Sequence, residues 1–266
     1  MTSGHRPRKR FGQHFLHDED VINRIVAAIA PKTGETLIEI GPGEGALTGP
    51  LLESPATLHV IEKDRDLAQL LPQRFADKKP FQVHCQDALL FDFHSIPGPL
   101  RIVGNLPYNI STPLLFHLLD SLECIRDMVL MLQSEVVDRL NAIPGKKAYG
   151  RLSVMVQSRC EVEKLFTVDP QSFTPPPRVK SAVFRLLPLN KPLCGIEDLQ
   201  TFSEVVRQSF SQRRKTLRNS LKGLLTADEI ESRGINPGAR AEELSIADFA
   251  VLANLYHQQL IHSAGL

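Results

Sequence analysis

Thr36-Leu37-Ile38-Glu39-Ile40-Gly41-Pro42-Gly43-Glu44-Gly45-Ala46 is the stretch on which the reading of the fold turns. Five residues of strand character run straight into a glycine-rich turn, and Leu47-Thr48 behind it opens a helix. Such a turn lets a ligand approach the backbone closely and aims the N–H groups of the helix start at it. Gly41, Gly43 and Ala46 fit the spacing G-x-G-x-x-G/A. The next strand, Thr57-Leu58-His59-Val60-Ile61, ends in Glu62, about twenty residues after the first glycine, where a carboxylate meets ribose hydroxyls in nucleotide-binding α/β folds. On these residues alone a nicotinamide cofactor and S-adenosylmethionine fit equally well.

Working outward, two more strand ends point the same way. Phe81-Gln82-Val83-His84-Cys85 runs into Gln86-Asp87-Ala88, and Asp87 is placed to accept from an adenine amino group. Leu100-Arg101-Ile102-Val103 runs into Gly104-Asn105-Leu106-Pro107-Tyr108-Asn109. There an amide can both donate and accept, a proline stiffens the turn by fixing φ, and a tyrosine offers a face on which a base can stack, worth roughly 1–3 kcal/mol. Four strand ends thus converge on one crevice, as ligand sites in parallel α/β sheets do.

The remaining pattern fills in an α/β domain followed by helices. Val21, Ile22, Ile25, Val26 and Ile29 recur at helical spacing behind Asp18, a candidate N-cap, and Pro31 ends the run. Helices are expected around Asp66–Phe75, from Ser111, over Glu135–Leu140 and from Arg151 through Gln157, with further strands at Met128–Leu132 and Ser181–Leu186. Phe173-Thr174-Pro175-Pro176-Pro177-Arg178 is too proline-rich for helix or central strand and reads as a rigid surface loop. Pro188 to Gly195 reads as a linker. Beyond it helices are expected over Leu199–Leu225, Asp228–Ser232 and Ile246 to about Leu260, with a capping box from Ser245 and Asp248. The expected organisation is a basic arm over 1–17, an α/β domain over 18–190 and a small helical domain over 191–266.

The net charge of +1 over 266 residues carries no signal, but its distribution does. Arg6, Arg8, Lys9 and Arg10 form a basic arm with no acid before Asp18. Arg207, Arg213, Arg214, Lys215, Arg218 and Lys222 lie between Glu204 and Asp228 with no acid among them. Both clusters suit phosphate contact. The four cysteines are scattered without zinc spacing or a disulfide framework, so reduced thiols in the cytoplasm are expected. Neither a signal peptide nor a membrane span is expected.

With these residues in view the chain resembles the rRNA adenine N(6)-dimethyltransferases, and within them the bacterial small-subunit branch. The resemblance rests on Phe11-Gly12-Gln13-His14-Phe15-Leu16, Glu39-Ile40-Gly41-Pro42-Gly43, Asn105-Leu106-Pro107-Tyr108-Asn109, Phe173-Thr174-Pro175-Pro176-Pro177 and Arg213-Arg214-Lys215-Thr216-Leu217. It implies a Rossmann-like methyltransferase domain and S-adenosylmethionine as donor. It places His14 and Leu16 at the methionine end, Gly41 against the cofactor, Glu62 on the ribose, Asp87 on the adenine and Asn105 beside the sulfonium. It implies that the Asn105 side-chain oxygen and the Leu106 carbonyl hold the target amino group, while Tyr108 and Phe173 sandwich the base. Arg8, Lys9, Arg10 and the Arg207–Lys222 cluster would bind 16S rRNA in the small subunit or its precursor. The product would be two adjacent dimethyladenosines, made by a monomer without metal. Where the family usually has Asn, this chain has His14, whose ring still offers a hydrogen-bond donor. A nicotinamide-dependent oxidoreductase would leave the Asn-Leu-Pro-Tyr loop and basic cluster without a role. A ribosome-assembly factor and the related large-subunit methyltransferase are the other readings.

Overall fold

Aliphatic runs with almost no polar interruption belong in a parallel sheet covered on both faces, and the chain folds accordingly. The computed structural model describes residues 14–212 and 214–264. The arm residues Arg8, Lys9 and Arg10, the Phe11-Gly12-Gln13 segment and Arg213 lie outside the described residues.

The chain forms β1 (Phe15–Leu16), α1 (Glu19–Ile29), β2 (Thr36–Ile40), α2 (Thr48–Glu53), β3 (Thr57–Ile61), α3 (Arg65–Arg74) and β4 (Gln82–His84). There follow β5 (Leu100–Asn105), α4 (Ser111–Leu119), β6 (Ile125–Gln133), α5 (Ser134–Leu140), α6 (Arg151–Gln157), β7 (Cys160–Val168), β8 (Phe173–Thr174) and β9 (Ser181–Pro188). Helices α7 (Leu199–Ser209), α8 (Leu217–Ser220), α9 (Ala227–Ser232) and α10 (Ile246–Ala264) complete it. The sheet order is β4-β3-β2-β5-β6-β9-β7. Strands β2 to β6 pair in parallel, and β9 returns antiparallel to β6. The order reverses between β2 and β5, and the crevice outside such a switch point is where open α/β sheets bind ligands.

Local chemistry explains the elements flanking that point. Asp18 caps α1 by accepting from the Val21 N–H, and Val21, Ile22, Ile25 and Ile29 bury its apolar stripe before Ala30 turns left-handed ahead of Pro31. At the opposite end of the sheet Arg101 is buried in a full set of partners. It donates to both carboxylate oxygens of Asp127 at 2.7 and 2.8 Å, to Glu35 at 2.6 Å and to the Ile29 carbonyl at 2.7 Å. This clamp joins β5, β6 and the α1–β2 turn.

Contacts divide the chain into two units, one running to Val137 and resuming over Glu163–Pro188, the other comprising Asp138–Val162 and the chain from Leu189 on. The boundary expected at residue 190 therefore gives way to a discontinuous one, because the segment holding α6 packs with the later helices. Within the second unit α6 and α10 pack against α7, whose Phe202, Val205 and Val206 are buried. The Tyr149 hydroxyl donates to the Leu244 carbonyl at 3.0 Å. The capping box at α10 is formed, Ser245 and Asp248 exchanging side-chain and backbone hydrogen bonds.

The single helix expected over Leu199–Leu225 is broken. Helix α7 ends at Ser209, and the N–H groups of Leu217 and Arg218 donate to Ala239 and Pro237 instead of to a preceding helical turn. Arg214 and Lys215 thus sit on an exposed connection before α8, not on a continuous helix. The nine-residue strand β7 has no counterpart in the sequence reading.

Candidate active site

The carboxyl ends of β2, β3 and β5 and the turn after β4 enclose a cavity of about 230 Å³. Of the expected site residues, His14, Leu16, Gly41, Glu62, Asp87, Asn105, Leu106 and Tyr108 all line it. Phe173 does not.

The glycine turn follows β2 directly. Gly41 (φ +67°) and Gly43 (φ +59°) take the left-handed backbone that glycine tolerates best. A Cβ on Gly43 would also come within 3.1 Å of the Phe15 ring. The turn is tied to the next strand, since the Gly43 N–H donates to Glu62 Oε2 at 3.2 Å while the Asp64 N–H donates to Oε1 at 2.8 Å. Burial outweighs these two donors and raises the Glu62 carboxyl above its ordinary range. Each Glu62 oxygen keeps a lone pair for hydroxyl donors.

Asp87 receives the Lys63 ammonium at 2.6 Å and the Leu89 N–H at 3.1 Å. Burial opposes its ionisation, but Lys63 and that N–H prevail and hold the carboxyl below its ordinary range. It is an ionised acceptor at the far side of the cavity from the Asn105 loop.

At the end of β5 the Asn105 Nδ2 donates to the backbone carbonyl of His14 at 3.1 Å, which leaves Oδ1 as the acceptor. The Leu106 N–H donates to the Met131 carbonyl at 3.1 Å and pins the turn to β6. The Tyr108 hydroxyl is bonded to Ser181 Oγ at 2.7 Å, and burial raises its pKa. The His14 ring stacks on Tyr108, with centroids 5.5 Å apart and planes 30° apart, and its Nδ1 lies 2.7 Å from the Pro175 carbonyl. One ring nitrogen of His14 is therefore engaged by the proline-rich segment.

Phe173 corrects the expectation of a surface loop. It is 2% exposed in the hydrophobic core, because β8 pairs antiparallel with β1, setting Leu16 opposite Phe173. The ring the structure sets against Tyr108 is His14 instead.

Of the basic cluster, Arg207 is bound by Glu204 on the same helix turn at 2.6 Å, while Arg214, Lys215, Arg218 and Lys222 are exposed. Sequence reasoning passed over Glu39, a buried carboxyl in the cavity wall that accepts from Thr48 Oγ1 at 2.7 Å. In the sequence it shows as a lone acid inside Leu37-Ile38-Glu39-Ile40 at the head of the Glu39-Ile40-Gly41-Pro42-Gly43 motif, with a hydroxyl nine residues on. Among the described residues no cluster of metal-ligating side chains occurs.

A glycine turn with a ribose-type acid at the switch point, and an amide beside an aromatic ring at the next strand end, is the architecture of a Rossmann-like S-adenosylmethionine-dependent methyltransferase. The model for the ribosomal RNA adenine dimethylase family matches residues 4–258. Ribosomal RNA small subunit methyltransferase A of Hydrogenovibrio crunogenus is 54% identical over 261 residues, covering 96% of this chain and 98% of the relative. The protein of the same name from Pseudomonas fluorescens strain Pf0-1 is 53% identical over 258 residues, covering 96% and 95%. Among solved structures, a dimethyladenosine transferase from Plasmodium falciparum shares the fold with a TM-score of 0.78 at 24% identity, covering 95% of this chain and 99% of that one. The 23S rRNA methyltransferase ErmE superposes with a TM-score of 0.71 at 25% identity, covering 92% and 100%. The chain belongs to the ribosomal RNA adenine dimethylase family.

Proposed function

We propose that this protein dimethylates the N(6) amino groups of two adjacent adenosines in a 16S rRNA loop during maturation of the small ribosomal subunit, acting as a monomer in the cytoplasm. The observation that carries the chemistry is the orientation of Asn105: with Nδ2 donated to the His14 carbonyl, Oδ1 is committed to accepting.

The cavity suits S-adenosylmethionine by its donor set. Glu62 can take the ribose hydroxyls and Asp87 the adenine amino group, while Gly41 and Gly43 let the ligand lie against backbone. Bound there, S-adenosylmethionine supplies an electrophilic methyl group on its sulfonium. The chain's own task is to prepare the nucleophile. An adenine amino lone pair is delocalised into the ring, so it attacks only when held out of plane. Asn105 Oδ1 and the Leu106 carbonyl accept its two hydrogens and favour a pyramidal nitrogen facing the donor. The Tyr108 ring receives the base, which must leave its helical stack or already stand in a loop. Positioning and charge stabilisation then dominate an in-line displacement. Once methylated the amino group is cationic and acidic, so a strong base is unnecessary. A second round gives the dimethyl product.

Exposed Arg214, Lys215, Arg218 and Lys222 support rRNA binding by the helical unit, with Arg213 and the arm residues Arg8, Lys9 and Arg10 proposed for the same role. Such phosphate contacts make binding steeply salt-dependent. The test is transfer of labelled methyl groups from S-adenosylmethionine to under-methylated small subunits and, separately, to large-subunit rRNA. Labelling of the small subunit supports the reading. Labelling of the large-subunit RNA alone moves the protein to the other branch of the family, and labelling of neither refutes both.

A further inference from the structure

Four carboxyl groups line the cavity, Glu44 in the glycine turn and Glu39, Glu62 and Asp87 beside the strand ends, and of the last three only Glu62 and Asp87 have a described role. Glu62 is held by two backbone N–H groups and Asp87 by Lys63. Glu39, the penultimate residue of β2, is 2% exposed and accepts one hydrogen bond, from Thr48 Oγ1 to Oε2 at 2.7 Å. Among the described residues no other group hydrogen-bonds this carboxyl, and Oε1 is left over. A buried carboxylate without a cation is costly, so a partner or a proton is required.

Among the described residues the surroundings supply no free cation. Of the elements around Glu39, the glycine turn brings Glu44, the end of β3 brings Glu62 and Lys63, the turn after β4 brings Asp87, and the segment before β1 brings His14. Lys63 is taken by Asp87, and the end of β5 brings only the neutral Asn105 and the un-ionised Tyr108. On β3 the residue in register with Glu39 is Val60, so His59 projects from the other face of the sheet.

We propose that Glu39 is a proton-exchanging residue of the cofactor cavity, neutral in the free protein and surrendering its proton to solvent when the positively charged S-adenosylmethionine enters. This rests on the cofactor reading above. Burial, opposed by the Thr48 hydrogen bond and reinforced by the Glu62 charge, pushes the Glu39 pKa up to about 8, so the free protein carries the proton at neutral pH. A cationic ligand in the same low-dielectric space favours the ionised form and lowers that pKa. The bookkeeping is one O–H bond broken at Glu39 and one proton delivered to buffer.

The test is calorimetric titration of the purified protein with S-adenosylmethionine in phosphate and in Tris, whose different ionisation heats report the protons released. Wild type is expected to release a proton fraction near pH 7 that Glu39→Gln does not. Its affinity should rise with pH below about 8 by up to roughly tenfold per unit, and then level off. Glu39→Gln keeps an acceptor for Thr48, and its pH dependence should be correspondingly flatter. Thr48→Val removes the one bond that favours ionisation and should move the levelling point to higher pH, which keeps the inference open to refutation if Glu39→Gln fails to fold. Binding with equal proton release in wild type and Glu39→Gln, or a levelling point that Thr48→Val does not move, overturns this inference alone. Absence of binding to wild type overturns the cofactor reading and this inference with it.

Discussion

Gly104→Ala isolates how closely the site depends on the packing between two strand ends. Gly104 immediately precedes Asn105, and a Cβ on it would fall 2.5 Å from the carbonyl oxygen of Ile40 and 3.4 Å from that residue's carbonyl carbon and nitrogen. The obstructing atoms are the backbone of β2 just before the glycine turn, so no rotamer change relieves the overlap. Either β5 or β2 must shift. Overpacking of this kind costs about 1–3 kcal/mol, which for a chain of this size lowers Tm by about 2–4 °C per kcal/mol. The displacement falls on Asn105 and on the glycine turn, both in the cavity wall. Because a misplacement of about 1 Å at reacting groups can cost about a hundredfold in rate, kcat should fall well beyond what the stability loss implies. The assay pairs thermal unfolding followed by circular dichroism with methyl-transfer kinetics at a temperature where the variant is fully folded. Gly150→Ala serves as the control, since Gly150 has an extended φ of −170° and a Cβ there would meet nothing within 4 Å. It should change neither readout appreciably. A Gly104→Ala protein with wild-type Tm and wild-type kcat would refute the reasoning.

Three further outcomes follow from the geometry. Arg101→Met leaves Asp127 buried without its guanidinium and Glu35 with Arg126 alone, and should cost about 3–5 kcal/mol in urea unfolding; a cost below about 1 kcal/mol would show that the clamp is idle. Tyr108→Phe removes the hydroxyl bonded to Ser181 but keeps the ring, so stability should drop by about 1 kcal/mol with transfer close to wild type, whereas Tyr108→Ala should also forfeit roughly 1–3 kcal/mol of base stacking, read as a higher KM for the RNA particle. Replacing Arg214 and Lys215 by alanine should weaken binding to small subunits and flatten its dependence on log salt by about 0.7–0.9 for each phosphate no longer neutralised; an unchanged slope would remove these residues from the interface.

The elements read correctly from sequence are those whose signal is local. The apolar runs Leu37-Ile38, Leu58–Ile61 and Ile102-Val103 announce buried parallel strands, and the glycine turn and Glu62 announce the switch point. Asp18 and the Ser245/Asp248 box declare helix starts because capping is a short-range hydrogen bond. What stayed hidden depends on partners far along the chain. The break after Ser209 is set by Leu217 and Arg218 donating to the 237–239 segment. Phe173 is drawn into the core by pairing with Leu16, and two two-residue strands are too short to show a period. Strand β7 is a sheet edge with charged and apolar residues mixed, so it lacks both a clean alternation and a continuous apolar run. The joining of α6 to the later helices is a matter of packing alone. At the site itself most residues were legible, but the orientation of the Asn105 amide and the stacking of His14 on Tyr108 required the chain to close on itself.

The central claim is that Asn105 Oδ1 holds the target amino group for methyl transfer. Mass spectrometry of nucleosides from under-methylated small-subunit rRNA, incubated with S-adenosylmethionine and either wild type or Asn105→Ala, tests it most directly. Dimethyladenosine formed by wild type, and reduced by about a hundredfold or more in rate by Asn105→Ala, is the predicted result. Dimethyladenosine formed at the wild-type rate by Asn105→Ala would contradict it.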